Sequence, residues 1–268
     1  KKIPYIATLF IALIAIEYLV GIFILSIPVD HTSQAPLVAK AARPTISGML
    51  LLFFYNLFLK KFSLPEQYSP QRVLQNFSLG CFIAILSTLL AILISIGLSS
   101  HRVYFEWPQL YPALIILLFQ IGTATMEEVI YRGVLQNLFE KFLPTAGATV
   151  LQIAIFVFAH SSQNHTSPYL YVIILSIYGL LFTLLTKTDP SLLRAVGYHA
   201  TTNWCLYVVF GGNNHYIVLE PMWHSVEPAP QEVHLLVAAI MLIGWFVYFK
   251  RFRNSPSKHP AAQGTNDS

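Results

Sequence analysis

Glu127, Glu128 and Arg132 interrupt a long apolar segment of the sequence. Residues four apart share one face of a helix, so the spacing predicts an ion pair between Glu128 and Arg132. Glu127 points about 100° away from Glu128, and the helix itself gives it no partner. The Glu128 carboxylate is therefore neutralised and held in place by Arg132, and the Glu127 carboxylate stays available for chemistry.

Two further motifs with polar residues interrupt apolar helical segments downstream. Phe156 and His160 are four residues apart, and so are His199 and Asn203, so each pair shares a helix face. At about 1.5 Å of rise per residue, Glu127, His160 and Asn203 lie about 20–24 Å above the predicted inner ends of their helices. We therefore expect these polar groups to meet in one cavity.

The residue types in this cavity favour hydrolysis. A carboxylate without a fixed partner can act as a general base on water, and a nearby histidine can hold that water or protonate a leaving amine. A second histidine and an asparagine amide can donate hydrogen bonds to a developing oxyanion. The chemistry predicted is cleavage of a peptide bond by glutamate-activated water, without a serine or cysteine nucleophile.

The three motifs in this order resemble those of the CAAX protease and bacteriocin-processing (CPBP) family of intramembrane endopeptidases, which read EExxxR, FxxxH and HxxxN/D. The resemblance spans about Tyr111 to Phe210. It implies a glutamic-type mechanism in which Glu127 activates water beside His160. It also implies that His199 and Asn203 form the oxyanion site, while Glu128 and Arg132 hold the architecture.

The resemblance does not decide whether the site binds a metal or whether the protein is catalytic. Two Glu and two His could bind Zn²⁺, but no HExxH motif exists and Asn203 fits oxyanion stabilisation better, so no metal or other cofactor is favoured. The expected partner is a membrane-anchored protein or peptide substrate. The alternative is a non-catalytic membrane protein for binding, immunity or transport, whose buried charges form a ligand or proton site. Transport is disfavoured because no internal repeat or matched pair of broken helices is found.

Composition predicts an all-α, polytopic membrane helix bundle. The 268 residues are 55% hydrophobic and only 10% charged, with a mean hydropathy of +0.60. We expect one transmembrane domain over residues 1–253, about eight transmembrane helices beginning with a retained helix at Ile3–Ile27, and a disordered cytoplasmic tail over residues 254–268. The motif core covers about residues 111–210.

Most of the 16 Lys and Arg residues fall in segments on the same side as the N-terminus, and only Lys40, Arg43 and Arg102 fall on the other. This bias predicts that both termini are cytoplasmic, in the cell (inner) membrane. The excess of basic residues then reflects this orientation and contact with anionic lipid, and does not indicate nucleic-acid binding. With both termini cytoplasmic, the cavity is expected to open toward the non-cytoplasmic face, where the uncharged loop Ser161–Ser167 lines the entrance. Cys81 and Cys205 are expected to be inert, and the sequence does not indicate an oligomeric state.

Overall fold

The computed structural model describes residues 42, 44–50, 52–53, 55, 70–98, 104–105, 110–160, 168–188, 192–210, 223–224, 236–244 and 246. The helix expected at Ile3–Ile27, the tail 254–268 and the loop Ser161–Ser167 lie outside these residues. The expected count of eight helices is therefore not established.

The described chain is helical, which confirms the predicted fold class. The helices are α1 (Pro70–Leu98), α2 (Leu110–Glu128), a π-helical segment (Val129–Leu135), α3 (Gln136–Phe139), α4 (Thr145–Ala159), α5 (Pro168–Thr188) and α6 (Leu193–Phe210). Residues 44–50 and 236–244 are also helical. Two strands of two residues each, β1 (Tyr104–Phe105) and β2 (Trp223–His224), pair antiparallel.

Among the residues that the structure describes, three helical spans are long and apolar enough to cross a membrane, and this supports the predicted membrane protein. They are Gln71–Ile94, Leu110–Phe139 and Tyr169–Lys187. The span Leu110–Phe139 has 30 residues because α2, the π-helical segment and α3 follow one another without a break. Several large apolar side chains of α1 point outward, as expected for contact with lipid: Phe82, Leu86, Leu89 and Leu93.

Helices α1 and α6 cross at two glycines. A Cβ added at Gly80 would collide with the carbonyl oxygen of Arg194 and lie 2.7 Å from the backbone nitrogen of Tyr198. A Cβ added at Gly197 would collide with the carbonyl oxygen of Phe77. Small residues let membrane helices approach to backbone contact, where van der Waals packing drives association. The crossing therefore holds α6 at a fixed position along α1.

Helix α2 packs on the other side of α6. The indole Nε1 of Trp204 donates a hydrogen bond of 2.8 Å to the carbonyl oxygen of Ala113. Elsewhere between the same two helices, a buried apolar cluster is formed by Ala124, Val196 and Ala200. Because α6 is fixed against both α1 and α2, the polar residues that α2 and α6 carry keep a defined spacing.

Glu140 ties the end of α3 to the end of α5. Its Oε1 accepts hydrogen bonds from Lys187 Nζ at 2.6 Å and from Gln136 Nε2 at 2.7 Å. Partial burial raises the pKa of the Glu140 carboxyl, but the hydrogen bonds from Lys187 and Gln136 outweigh it, so the pKa lies below its ordinary value. The carboxylate is therefore ionised at neutral pH and links the two helices.

Alanine at Gly80 should destabilise the protein, whereas alanine at Gly97 on the same helix should not. Gly→Ala in a helix normally stabilises by up to about 1 kcal/mol, and a Cβ at Gly97 meets no described atom within 4 Å. At Gly80 the backbone of α6 must move, which costs about 1–3 kcal/mol. Thermal unfolding of the two variants in detergent tests whether the substitutions change stability in opposite directions. Equal midpoints would show that the crossing is looser than described.

Candidate active site

The three charged residues of the first motif lie where α2 passes into the π-helical segment. Glu127 and Glu128 end α2, and Arg132 lies in the π-helical segment, which begins one residue after Glu128. Short π-helical segments inside α-helices often mark functional sites. The second and third motifs arrive from other helices, since His160 caps the C-terminus of α4 and His199 lies within α6.

Glu127 lies between two imidazoles. Its Oε2 is 3.7 Å from Nε2 of His160 and 3.8 Å from Nε2 of His199. The side chains of Glu127, His160 and His199 are 16%, 22% and 6% exposed, so the group is mostly buried. The structure thus brings together three of the four residues expected to be catalytic.

The hydrogen bonds of the two histidines determine which ring nitrogen faces Glu127. Nδ1 of His160 lies 2.8 Å from the carbonyl oxygen of Phe156, and Nδ1 of His199 lies 2.9 Å from Oε1 of Glu128. A carbonyl and an ionised carboxylate only accept, so each Nδ1 carries the hydrogen. In the neutral form of either imidazole, the nitrogen that faces Glu127 is therefore an unprotonated Nε2.

Glu128 and Arg132 form a fully buried ion pair. Nη1 of Arg132 donates to Oε1 of Glu128 at 3.1 Å, and both side chains are 0% exposed. Nη2 of Arg132 donates to the carbonyl oxygen of Gly179 on α5 at 3.4 Å. A Cβ at Gly179 would lie 3.2 Å from Ile153, so glycine leaves α4, α5 and Arg132 room to meet. The spacing correctly predicted this pair, but not that Glu128 also bonds His199 directly.

Two aromatic rings enclose the guanidinium group. Cζ of Arg132 is 4.7 Å from the ring centroid of Phe156 and 5.0 Å from that of Phe182. The ring of Phe182 also stacks on the imidazole of His199, with centroids 4.5 Å apart and planes 19° apart. Phe182 was not predicted as a site residue, because it lies in none of the three motifs. The only available signal was the aromatic pair Tyr178 and Phe182, four apart on one face of α5.

Asn203 lies half-buried on α6, one turn after His199 and on the same face. No hydrogen bond or ion pair joins its side chain to another described residue. Its expected role at the oxyanion therefore stays a prediction. Within the described part of the chain, no group of three or more His, Cys, Asp and Glu side chains is arranged to hold a metal ion.

Apolar spanning helices and a buried cluster of two carboxylates, two imidazoles and a guanidinium define an integral membrane protein with an ionisable intramembrane site. The model of the family described as type II CAAX prenyl endopeptidase Rce1-like matches residues 109–205 of the chain. The match covers all three motifs and confirms the resemblance drawn from them. No curated protein matches the chain.

Arg132→Ala should strongly destabilise the protein, because it leaves the Glu128 carboxylate buried without its cation. Breaking a buried pair in this way costs about 3–5 kcal/mol. Lys187→Ala is the matched control, since it breaks an ion pair whose partners are 35% and 25% exposed and should cost about 0–1 kcal/mol. Unfolding of both variants by SDS titration from mild detergent measures the difference. A fully stable Arg132→Ala variant without activity would instead assign Arg132 to the substrate.

Proposed function

We propose that the protein is an intramembrane endopeptidase that cleaves membrane-anchored proteins or peptides with glutamate-activated water. The observation that carries this proposal is the Glu127 carboxylate, whose Oε2 lies 3.7 and 3.8 Å from two imidazole Nε2 atoms. The family match supports the same class, since its model describes CAAX prenyl endopeptidases.

The separations suit a water molecule between these groups. Polar atoms more than 3.5 Å apart are commonly bridged by water, and a water oxygen can lie about 2.8 Å from both Glu127 Oε2 and His160 Nε2. The Glu127 carboxylate and the Nε2 atom of a neutral His160 accept hydrogen bonds, so these two groups hold such a water by its two hydrogens. Its lone pairs then face away from them, toward a substrate carbonyl.

In the proposed reaction the water oxygen attacks the peptide carbonyl carbon while Glu127 takes one proton. The resulting oxyanion accepts hydrogen bonds from the Asn203 amide and from His199. Because Nδ1–H of His199 is committed to Glu128, His199 can donate through Nε2 only when its ring carries both protons. When the carbon–nitrogen bond breaks, the protonated Glu127 gives its proton to the leaving amine, either directly or through Nε2 of His160.

Glu128 and Arg132 do not take part in these proton transfers. Glu128 keeps Nδ1 of His199 protonated and so directs Nε2 toward Glu127, while Arg132 neutralises Glu128. Neighbouring partners that fix the tautomer and orientation of a histidine commonly contribute to its function. The two adjacent carboxylates therefore have different functions, one in chemistry and one in orientation.

The substrate class depends on which face of the membrane leads to Glu127. Helix α4 ends at Ala159 and is capped by His160, so the cavity lies at the C-terminal end of this helix. With both termini cytoplasmic, that end faces outward. A peptide bond just outside a substrate's transmembrane helix could then reach Glu127, which favours processing of membrane-anchored tails over trimming of prenylated proteins in the cytoplasm.

Glu127→Gln should abolish cleavage and leave the fold intact, because an amide cannot take a proton from water. Loss of a general base costs about 10²–10⁴-fold in rate. Purified protein in liposomes is tested against single-span peptides with short tails and against farnesylated CAAX peptides, with products identified by mass spectrometry. Glu140→Gln, the same substitution outside the cavity, should keep wild-type activity.

Normal cleavage by Glu127→Gln would rule out glutamate catalysis, and failure of wild-type protein to cut any substrate would favour the non-catalytic alternative. Elemental analysis of the same samples tests the metal question. Zinc at one per chain, with cleavage lost on chelation and restored on addition, would make Glu127 and the histidines ligands instead.

Cysteine labelling should place the loop between α3 and α4 in the cytoplasm. Ala146 is exposed at the start of α4, and Ala146→Cys should react with an impermeant maleimide only after the cells are permeabilised. Gln163→Cys, in the loop outside the described residues, should react in intact cells. Native Cys205 is buried and Cys81 half-buried, which keeps the background low. The reverse pattern would open the site to the cytoplasm and favour prenylated substrates.

A further inference from the structure

Phe182 contacts two functional residues of the cavity with one ring. The ring is 3% exposed in the middle of α5. It stacks on His199 and also lies 5.0 Å from the guanidinium carbon of Arg132. Tyr178 stacks on it at 5.9 Å, and Tyr198 meets it edge-on at 5.9 Å. The ring is therefore held on several sides and cannot easily turn away from the imidazole.

The hydrogen bond from His199 Nδ1 to Glu128 does not by itself fix the imidazole. It anchors one nitrogen at 2.9 Å but leaves the ring free to tilt about that point. A tilt of about 30° would move Nε2 by about 1 Å, and a misplacement of that size can cost about 100-fold in rate. The stacked ring restricts this second motion, because a tilted imidazole would collide with the face of Phe182.

Together the two contacts restrict both the direction in which Nε2 points and the tilt of the ring. Glu128 anchors Nδ1 and Phe182 covers one face of the imidazole, so Nε2 is directed at Glu127 Oε2, 3.8 Å away. We propose that Phe182 is a positioning residue for hydrolysis, acting through His199 and touching neither substrate nor water. This proposal rests on the proposed function.

The other imidazole of the cavity has a different arrangement. Phe156 lies 4.5 Å from His160, but the two planes are tilted by 50°, so this ring does not restrict its histidine in the same way. Instead, the carbonyl oxygen of Phe156 holds Nδ1 of His160 through the helix itself. Phe182 is thus a positioning contact particular to His199.

The test compares Phe182→Leu with Leu181→Ala. Leu181 is the preceding residue on α5, is 2% exposed and belongs to the same buried apolar cluster as Phe182. Both substitutions remove packing from that cluster, but only Phe182→Leu removes the aromatic face from His199. Phe182→Tyr keeps the face and is the conservative variant.

We expect Phe182→Leu to lower kcat by about 10–100-fold with KM within about twofold of wild type, for protein that unfolds no earlier than Leu181→Ala. Leu181→Ala should keep the wild-type kcat, and Phe182→Tyr should restore most of the loss. A kcat for Phe182→Leu within about twofold of wild type, or an equal loss in Leu181→Ala, would overturn the proposal.

A second measurement does not need catalysis. In protein labelled with ¹⁵N-histidine, the His199 resonances, assigned with His199→Gln, should report one tautomer with Nδ1 protonated in wild type and Leu181→Ala. Phe182→Leu should show mixed or broadened signals. Unchanged His199 signals in Phe182→Leu would contradict the positioning role even if no substrate is cleaved, whereas an inactive wild type with the expected signals would contradict only the proposed function.

Discussion

The buried ion pair between Glu128 and Arg132 is the constraint around which the rest of the cavity is arranged. Removing two charges from water costs several kcal/mol for each ion, and their attraction offsets this only if further partners are close. Arg132 finds these in the carbonyl oxygen of Gly179 and in the faces of Phe156 and Phe182. A glycine at position 179 and aromatic residues around the guanidinium group are therefore what the position of Arg132 requires.

The ion pair also explains why two adjacent glutamates behave differently. Glu128 is fully buried and its Oε1 accepts from both Arg132 and His199, so its charge is fixed. Glu127 points to another side of the helix, remains 16% exposed, and its Oε2 has no hydrogen-bond partner among the described residues. In the proposed mechanism, environment rather than residue type separates the two functions, as in enzymes that use paired carboxylates.

Sequence reasoning could predict the features that depend on local spacing and composition. The helical class, the Glu128–Arg132 pair and the family all followed from apolar runs and from residues four apart. The contact between Glu128 and His199 could not be predicted, because it joins residues 71 positions apart in the chain. The π-helical segment and Phe182 were also missed. The segment continues an apolar helical run without a residue pattern of its own, and an apolar residue on an apolar helix carries no distinguishing signal.

The helices that build the cavity differ in how firmly they are held. The crossing of α1 and α6 at Gly80 and Gly197 is a contact between backbones, and Trp204 fastens α6 to α2. Glu127 and His199 therefore belong to one rigid unit. Helix α4 is only 15 residues long and brings His160 at its very end. It is joined to α3 by the hydrogen bond from Gln136 to Thr149 and to α5 by the one from Thr183 to Gln152. A small movement of α4 would change the distance between Glu127 and His160. The distance between Glu127 and His199 would stay the same. In the proposed reaction, Glu127 and His199 are thus preorganised together, and His160 reaches them from the end of a separate helix.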